Sequence, residues 1–510
     1  MKKLPIGIST LSKIIEQDYL YIDKTNLALD LIQNYQYSFL SRPRRFGKSL
    51  FIDTLQEIFE GNKKLFVGLD IYDKWDFDDI YPVIKISWGG DFRSVEGLKI
   101  TALDVFKENQ ERLGIDCEMN SNLSSCFQEL IRESYKKYQK PVVILVDEYD
   151  KPILDNLDQM EMAIEAREII KSIYIKIKEN DKYIKFAFLT GVSKFSKASI
   201  FSGLNNLRDI SMLAKYGNIC GYTQRDIESS FLPYLEGVDL EELKRWYNGY
   251  NFLGDKIYNP FDILLFIDGG FIFKNYWFNT GTPTFLIKLF KQNSYNLAKF
   301  ENLKVSEELV ESFDIEQLSL ETVMFQAGYL TIKEIIYKRR KISYILTYPN
   351  FETKMSFNDY LLNYFVSNHS QKYSVQNSLI NLLEEANLDD LELALQSLFA
   401  SIAYNNFTNN YIENYEGFYA SVIYAYFAGS GFDNIIAEDA TTIGRIDLSV
   451  FIDDKVYIFE FKVDSRGALA QIKSKNYHLK YMADYSEVYI IGVEFDSKGR
   501  NVVGYEWERI

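Results

Sequence analysis

Histidine is nearly absent from this 510-residue chain, with His369 and His478 as its two examples. A His-rich zinc centre is thereby excluded. A Ser-His-Asp or Cys-His catalytic site has little to be built from, because such sites need imidazole as ligand or base. Cysteine is scarce as well: Cys117, Cys126 and Cys220 are odd in number and lack metal-ligand spacing. That usage fits a reducing compartment without a disulfide framework, and the cytoplasm is the expected location. The N-terminus has no continuous apolar stretch of signal-peptide length. The best candidate for a membrane span, 261–278, is interrupted by Asp262, Asp268 and Lys274 and is expected to be a buried helix with a strand after it. Internal repeats and low-complexity tracts are missing too. Chemistry must therefore rest on carboxylates, lysines and metal ions.

The length calls for two to four domains, each able to bury a core. Apolar residues make up 47% and charged residues 25%, as in ordinary globular proteins. A net charge of -15 makes the molecule as a whole repel nucleic acid, so any such binding must use a local basic surface.

Apolar runs recur at 37–40 (YSFL), 82–87 (PVIKIS), 142–146 (VVILV) and 184–190 (IKFAFLT), with helical patterns between them. This alternation predicts a parallel sheet covered by helices. From Gly221 to about Phe313 the pattern is mainly helical. Two alternating strands then flank a basic turn, Lys338 to Lys341, which suggests a helical lid with a winged-helix-like end. A polar, aperiodic stretch from Ser367 to Ser378 is the expected linker. Helices from Leu379 to about Phe427, a β-hairpin made of 446–452 and 455–463, a helix from Ala468 to Tyr481 and a strand at 487–493 form a last α/β unit. The expected divisions are 1–225, 226–375 and 376–510.

Two stretches carry chemistry. The first is SRPRRFGKSL, Ser41 to Leu50, between a strand and a helix expected at Leu50 to Glu60. A phosphate loop needs inward backbone N–H groups at a helix N-terminus, a lysine for the β/γ oxygens and a hydroxyl for Mg²⁺. Gly47, Lys48 and Ser49 supply them, with Leu50 following. The usual glycine five positions before Gly47 is Arg42 here, and alone the loop also fits a solvated basic turn. Asp147 and Glu148, closing the apolar strand VVILV, favour nucleotide: the Asp can hold Mg²⁺ and the Glu can polarise the attacking water. Thr190, ending IKFAFLT, fits a γ-phosphate sensor on a strand between the other two, although polar residues at strand ends are common. Arg44, Arg45, Lys194 and Lys197 are undistinguished candidates for a transition-state cation.

The second stretch is the C-terminal hairpin. Alternation sends Glu460 and Lys462 to one face, and the tight turn returns them beside Asp447. Two carboxylates for Mg²⁺ and a lysine to orient or activate water against a phosphodiester are the parts of a metal-dependent nuclease centre, although an acid and a lysine two apart on a strand also fit a charged outer face. Glu416 and Gln471 lie where they can complete the metal shell. Ile458, Phe459, Phe461 and Val463 are apolar on both faces, so charges in this strand need a reason.

Both constellations resemble a bacterial family of AAA-ATPase-like proteins that carry a C-terminal PD-(D/E)XK nuclease domain. The matching residues are YIDKT (21–25), RPRRFGKS (42–49), VILVDEYDKP (143–152), LTGVSKFSKASIFSGLNNL (189–207), WYNGYNF (246–252), YNPFDIL (258–264), EGFYASVIYAYF, RIDLSVF and YIFEFK. Together they span nearly the whole chain. The resemblance implies an α/β fold: a P-loop NTPase sheet of the additional-strand type, a helical and winged-helix-like middle, and a nuclease-like α/β domain. It implies ATP and Mg²⁺ as cofactors and nucleic acid, in the first place DNA, as partner; no membrane is implied, and self-association into a homo-oligomer stays open. It places ATP residues at Lys48, Ser49, Asp147 and Glu148, and nuclease residues at Glu416, Asp447, Glu460, Lys462 and Gln471. The chain departs from the family at Ala420, where FYHS is expected, and at Ile446, where the superfamily's name has proline. The expected function is nucleotide-regulated, Mg²⁺-dependent DNA cleavage; the alternative is a nucleotide switch whose tail binds nucleic acid or a protein without cleaving.

Overall fold

Runs rich in β-branched and aromatic residues, bounded by turns, suit a pleated sheet buried on both faces. In the computed structural model of the protein, β1 (Tyr37–Ser41), β2 (Val83–Ser87), β3 (Val142–Asp147), β4 (Ile184–Gly191) and β5 (Arg208–Asp209) form one parallel sheet in the order β2-β3-β4-β1-β5. The structure describes residues 1–118, 122–194, 200, 204, 206–278, 286, 289–290, 297–311, 314–316, 318–366, 369–402, 416–432 and 434–510. As expected, β4 lies between β1 and β3. The two-residue β5 was not foreseen, being too short to show alternation.

Every residue of β3 is buried. Val143 and Leu145 join Leu40, Phe186 and Phe188 in a core with Ile52, Leu55, Ile58 and Phe59 of the helix Lys48–Phe59. Each of these large side chains contributes about 1.5–3 kcal/mol through burial. Because the strands are parallel, the ends of β1, β3 and β4 open on one edge of the sheet, where α/β sheets place ligands. The helix starts at Lys48 rather than Leu50 because Gly47, at φ 94, already turns the chain into it.

Helices Leu240–Tyr247, Pro260–Asp268 and Leu320–Ala327 follow, with a small antiparallel sheet of β6 (Tyr222–Thr223), β7 (Asn248–Tyr250) and β8 (Ile257–Tyr258). The strand expected after the buried helix in 261–278 does not form. Gly270 (φ 73) and Phe271 (φ 64) reverse the chain, and Phe273 stacks on Trp246 and Tyr247 instead of pairing. After a short strand β9 (Leu303–Ser306), β10 (Thr331–Lys338) and β11 (Lys341–Thr347) are neighbours joined by Arg339 and Arg340. Both arginines have positive φ, which costs roughly 1–2 kcal/mol for residues other than Gly and, at times, Asn or Asp.

Helices Phe351–Phe365, His369–Glu384, Leu388–Ala400 and Glu416–Gly429 precede a five-stranded mixed sheet. Its order is β12 (Ile435–Ala440), β13 (Arg445–Ile452), β14 (Lys455–Val463), β15 (Glu487–Asp496) and β16 (Asn501–Arg509). β13 and β14 are the expected hairpin; β14 and β15 are parallel, with the helix Ala468–Ser474 between them in sequence. The helix expected to reach Tyr481 stops at Ser474, because Asn476 at φ 49 breaks it into a short 3₁₀ turn, Tyr477–Lys480. The linker expected at 367–378 is replaced from His369 onward by a helix; Ser367 and Asn368 lie outside the described residues.

The chain divides into two compact units: 1–280 with 305–344, and 281–304 with 345–510. Among the described residues no helix is long and apolar enough to cross a membrane.

Candidate functional site

The loop 42–47 is held by side chains in place of the missing glycine. Arg42 is 1% exposed, and its guanidinium donates to the carbonyls of Ser41 (2.8 Å), Ser211 (2.9 Å) and Tyr216 (3.0 Å) while lying 3.9 Å from the Phe252 ring centroid. Burial pushes its pKa down to about 10. Arg42 is thus a strut. Pro43 abuts Gly328, where a Cβ would come within 2.8 Å of its ring. The Trp277 indole donates to the Arg44 carbonyl, and Phe46 packs edge-on against Tyr250. Three segments quoted for the resemblance meet this loop: the Gly191 carbonyl accepts from the Arg42 N–H at 3.1 Å, Tyr250 and Phe252 pack on Phe46 and Arg42, and Phe261 lies under Arg45.

Gly47 needs its left-handed conformation to open the helix Lys48–Phe59, which has no side-chain cap at its N-terminus. Free N–H groups there favour an anion. Lys48 is buried and donates to the carbonyls of Arg42 and Pro43, each at 2.9 Å; burial lowers its pKa, and Asp147 and Asp150 act the other way. The Ser49 hydroxyl lies beside Asp147 and lowers its pKa, against the larger rise that burial imposes. A hydroxyl paired with a carboxylate beside a lysine is an oxygen donor set suited to Mg²⁺ bound with phosphate. Glu148 adopts φ 53, a strained conformation for a non-glycine residue, and pairs with Lys151 at 3.3 Å.

A cavity of about 520 Å³ adjoins these groups. Its polar lining includes Arg44, Arg45, Lys48, Ser49, Glu148 and Asp150, and its apolar lining includes Leu50, Ile8, Tyr222 and Phe261. Of the candidate cations, Arg44 and Arg45 line it, with Arg45 over the Phe261 ring at 4.9 Å. Lys194 is instead paired with Asp209 at 2.5 Å, and Lys197 lies outside the described residues. Thr190 is buried at the end of β4, and its hydroxyl donates to the Leu40 carbonyl, tying β4 to β1.

Asp150 went unnoticed in the sequence. It lines the cavity, and its Oδ2 accepts from the backbone N–H of Val192 (3.0 Å) and Ser193 (2.5 Å), clamping the turn after β3 to the end of β4. Burial raises its pKa to about 6. Gly191 lets it approach: a Cβ there would lie 2.4 Å from Asp150 Oδ1. The signal was a third acid in DEYD.

In the C-terminal unit, extending the β13–β14 register one pair beyond Leu448–Phe459 sets Asp447 opposite Glu460. Asp447 Oδ2 accepts from the Phe461 N–H at 2.7 Å. Glu460 is 1% exposed; its Oε1 meets Lys462 Nζ at 3.4 Å and the Gln471 amide, while its Oε2 is buried without a hydrogen-bond partner. Burial, then repulsion from Asp447, pushes Glu460 up to about 8. Asp447 is pushed up to about 6, again mainly by burial. Gly492, paired with Glu460 across β14–β15, permits the helix carrying Gln471 to lie close, since a Cβ would sit 2.4 Å from Leu469 N.

An orphaned carboxylate oxygen beside a second acid is the chemistry a divalent cation satisfies, and Mg²⁺ needs only one or two carboxylates with water. Among the described residues no three His, Cys, Asp or Glu side chains come close enough to hold a metal. Glu416, opening the helix Glu416–Gly429, raises both carboxyl pKa values through its charge but is not brought in as a third ligand.

The family model described as "Predicted AAA-ATPase" matches residues 5–201, and that of the PD-(D/E)XK nuclease superfamily matches 414–505. The "Uncharacterized protein in vnfD 5'region" of Azotobacter chroococcum mcd 1 is 45% identical over 515 residues, covering 100% of this chain and 99% of that one. The chain belongs to the AAA-ATPase-like family with a C-terminal PD-(D/E)XK nuclease-superfamily domain. The two family models leave residues 202–413 unmatched, whereas the likeness to the Azotobacter protein runs through them. No solved structure matches it. For this AAA-ATPase-like protein the five-stranded parallel sheet is the P-loop part, and the mixed sheet β12–β16 is the nuclease-superfamily part.

Proposed function

We propose that this AAA-ATPase-like protein binds and hydrolyses ATP and uses the nucleotide state to regulate Mg²⁺-dependent cleavage of DNA by its C-terminal unit. The observation that carries the reading is Glu460: a nearly inaccessible carboxylate with an unsatisfied oxygen, beside Asp447 and Lys462, in an otherwise apolar strand. Burying such a charge is costly unless a cation compensates it.

In the P-loop unit Lys48 would exchange its two loop carbonyls for the β/γ-phosphate oxygens, and the helix N-terminus would take up further phosphate charge. Ser49 and Asp147 would hold Mg²⁺, Glu148 would accept the proton of the attacking water, and Arg44 or Arg45 would offset transition-state charge. In the C-terminal unit Asp447 and Glu460 would hold the metal, Gln471 would fix the Glu460 carboxylate, and Lys462 would orient the water. Bound there, a divalent ion supplies Lewis acidity and an activated water. Coupling has a physical route within the first unit, because moving Pro43 or Arg44 displaces contacts to Gly328 and Trp277.

The two-carboxylate site without Glu416 as third ligand favours a second reading, in which the C-terminal unit binds nucleic acid or a protein without cutting. Cleavage of linear and supercoiled DNA in Mg²⁺ or Mn²⁺, with and without ATP, separates the two. Loss of cleavage in Lys462→Ala, with ATP dependence lost in Lys48→Ala, is expected. Absence of cleavage under every condition, with ATP hydrolysis intact, would overturn the first reading.

A further inference from the structure

The tip of the β10–β11 hairpin breaks a local rule. A two-residue connection with positive φ at both positions suits Asn-Gly or Asp-Gly, which reach that conformation with little steric penalty. Here the positions hold Arg339 (φ 49) and Arg340 (φ 63). Nothing in the fold asks for them. Both are exposed, as are Lys338 and Lys341 on either side, and among the described residues none of the four side chains has a hydrogen bond or ion pair. Tyr337, next in line, is 74% exposed. A chain of net charge -15 has thus set four cations on consecutive positions and accepted both backbone strain and mutual repulsion there. Strain that the fold does not need persists where a partner makes use of it.

We infer that this tip is an anchor for the phosphate backbone of a nucleic-acid duplex, an inference resting on the reading of the C-terminal unit as acting on nucleic acid. Arginine at the two strained positions is informative, because its planar fork matches phosphate in a way lysine does not. The tip is two strands wide, about 4.8 Å, and a duplex offers one charge per roughly 1.7 Å of axis, so several phosphates meet the four cations together. Tyr337 adds an amphipathic ring at the edge of the contact.

The test uses the full chain with a short labelled DNA duplex in EDTA, so that binding is read without cleavage, across about 50 to 200 mM salt. In the double variant Arg339→Asn/Arg340→Gly the turn gains residues suited to it. The melting temperature is therefore expected to stay or rise. Affinity at the lowest salt falls more than about tenfold, and the slope of log K against log salt becomes shallower by roughly 0.9 per lost phosphate contact. Lys338→Gln/Lys341→Gln, outside the turn, lowers the slope in the same sense. Unchanged affinity and slope in both variants overturn the anchor. So does wild-type binding to phosphatidylserine vesicles without binding to the duplex. Tip-dependent binding without cleavage in Mg²⁺ would instead fault the nuclease reading and leave the anchor standing.

Discussion

Replacing Arg42 by glycine would complete the usual phosphate-loop spacing, with a glycine five positions before Gly47, yet the completed motif is expected to be the worse one. The guanidinium donates to the carbonyls of Ser41, Ser211 and Tyr216 at 2.8, 2.9 and 3.0 Å, and to Gly217 at 3.4 Å. Hydrogen bonds from a charged donor contribute about 1.5–3 kcal/mol each, but burying the guanidinium offsets part of that, as its lowered pKa shows. Removing one side of such a buried network typically costs about 3–5 kcal/mol. Glycine adds roughly 0.5–1 kcal/mol of backbone entropy. Arg42→Gly should therefore lose about 3–5 kcal/mol in urea unfolding of the P-loop unit. Hydrogen exchange should rise at 211–217, and ATP should bind more weakly. A loss below about 1 kcal/mol, within the effect of one ordinary hydrogen bond, with unchanged exchange at 211–217, would refute the strut.

The remaining expectations concern the two sites. Gly191→Ala would put a methyl 2.4 Å from Asp150 Oδ1 and 2.6 Å from the Tyr149 ring, so about 1–3 kcal/mol of destabilisation and slower ATP hydrolysis are expected; wild-type melting and turnover would contradict the clamp. Lys48→Ala should weaken ATP binding about 10- to 150-fold, the equivalent of one charge-assisted hydrogen bond, and calorimetric titration showing wild-type affinity would exclude Lys48 from the phosphates. Asp447 and Glu460 titrate near 6 and 8, above their ordinary values of 3.8 and 4.5, so the folded state holds the extra protons in that window. In EDTA the stability these groups contribute is full below the ordinary carboxylate range and is lost as pH rises through about 6 and about 8. Mn²⁺ at alkaline pH should restore it in the wild type but not in Glu460→Gln. A flat or rising profile in urea titrations would contradict this.

What the sequence disclosed was local. GKS after a strand, acids closing VVILV and an acid–lysine pair in an apolar strand are adjacent in the chain, so spacing and alternation suffice to find them. The strut of Arg42 spans 169 to 175 residues to the carbonyls of Ser211, Tyr216 and Gly217, and the Arg44–Trp277 bond spans 233. No periodicity encodes such contacts. Asp150 escaped notice because its partners are backbone amides, which carry no sequence signature. The outer strands β12 and β16 carry acids and a glycine along with their apolar residues, so they did not stand out as core strands. At 369–378 the polar sequence hid a helix, because a helix whose outward face is polar resembles a loop until its packing is known.

The compact units do not follow chain order: the polypeptide leaves the first at 280, returns at 305 and leaves again at 344. Within the second unit Glu301 takes the Tyr424 hydroxyl at 2.6 Å and Lys354 at 2.6 Å, and the Leu297 N–H donates to Ser421 at 3.0 Å. On the ribosome, the first unit waits for residues 305–344, while Leu297 and Glu301 wait for Ser421, Tyr424 and Lys354, made still later. The second unit thus begins before the first is finished and is completed after it. The nuclease-superfamily half is consequently no portable cassette: a gene fragment beginning at 376 would encode its sheet but leave Tyr424 without the glutamate it was built against.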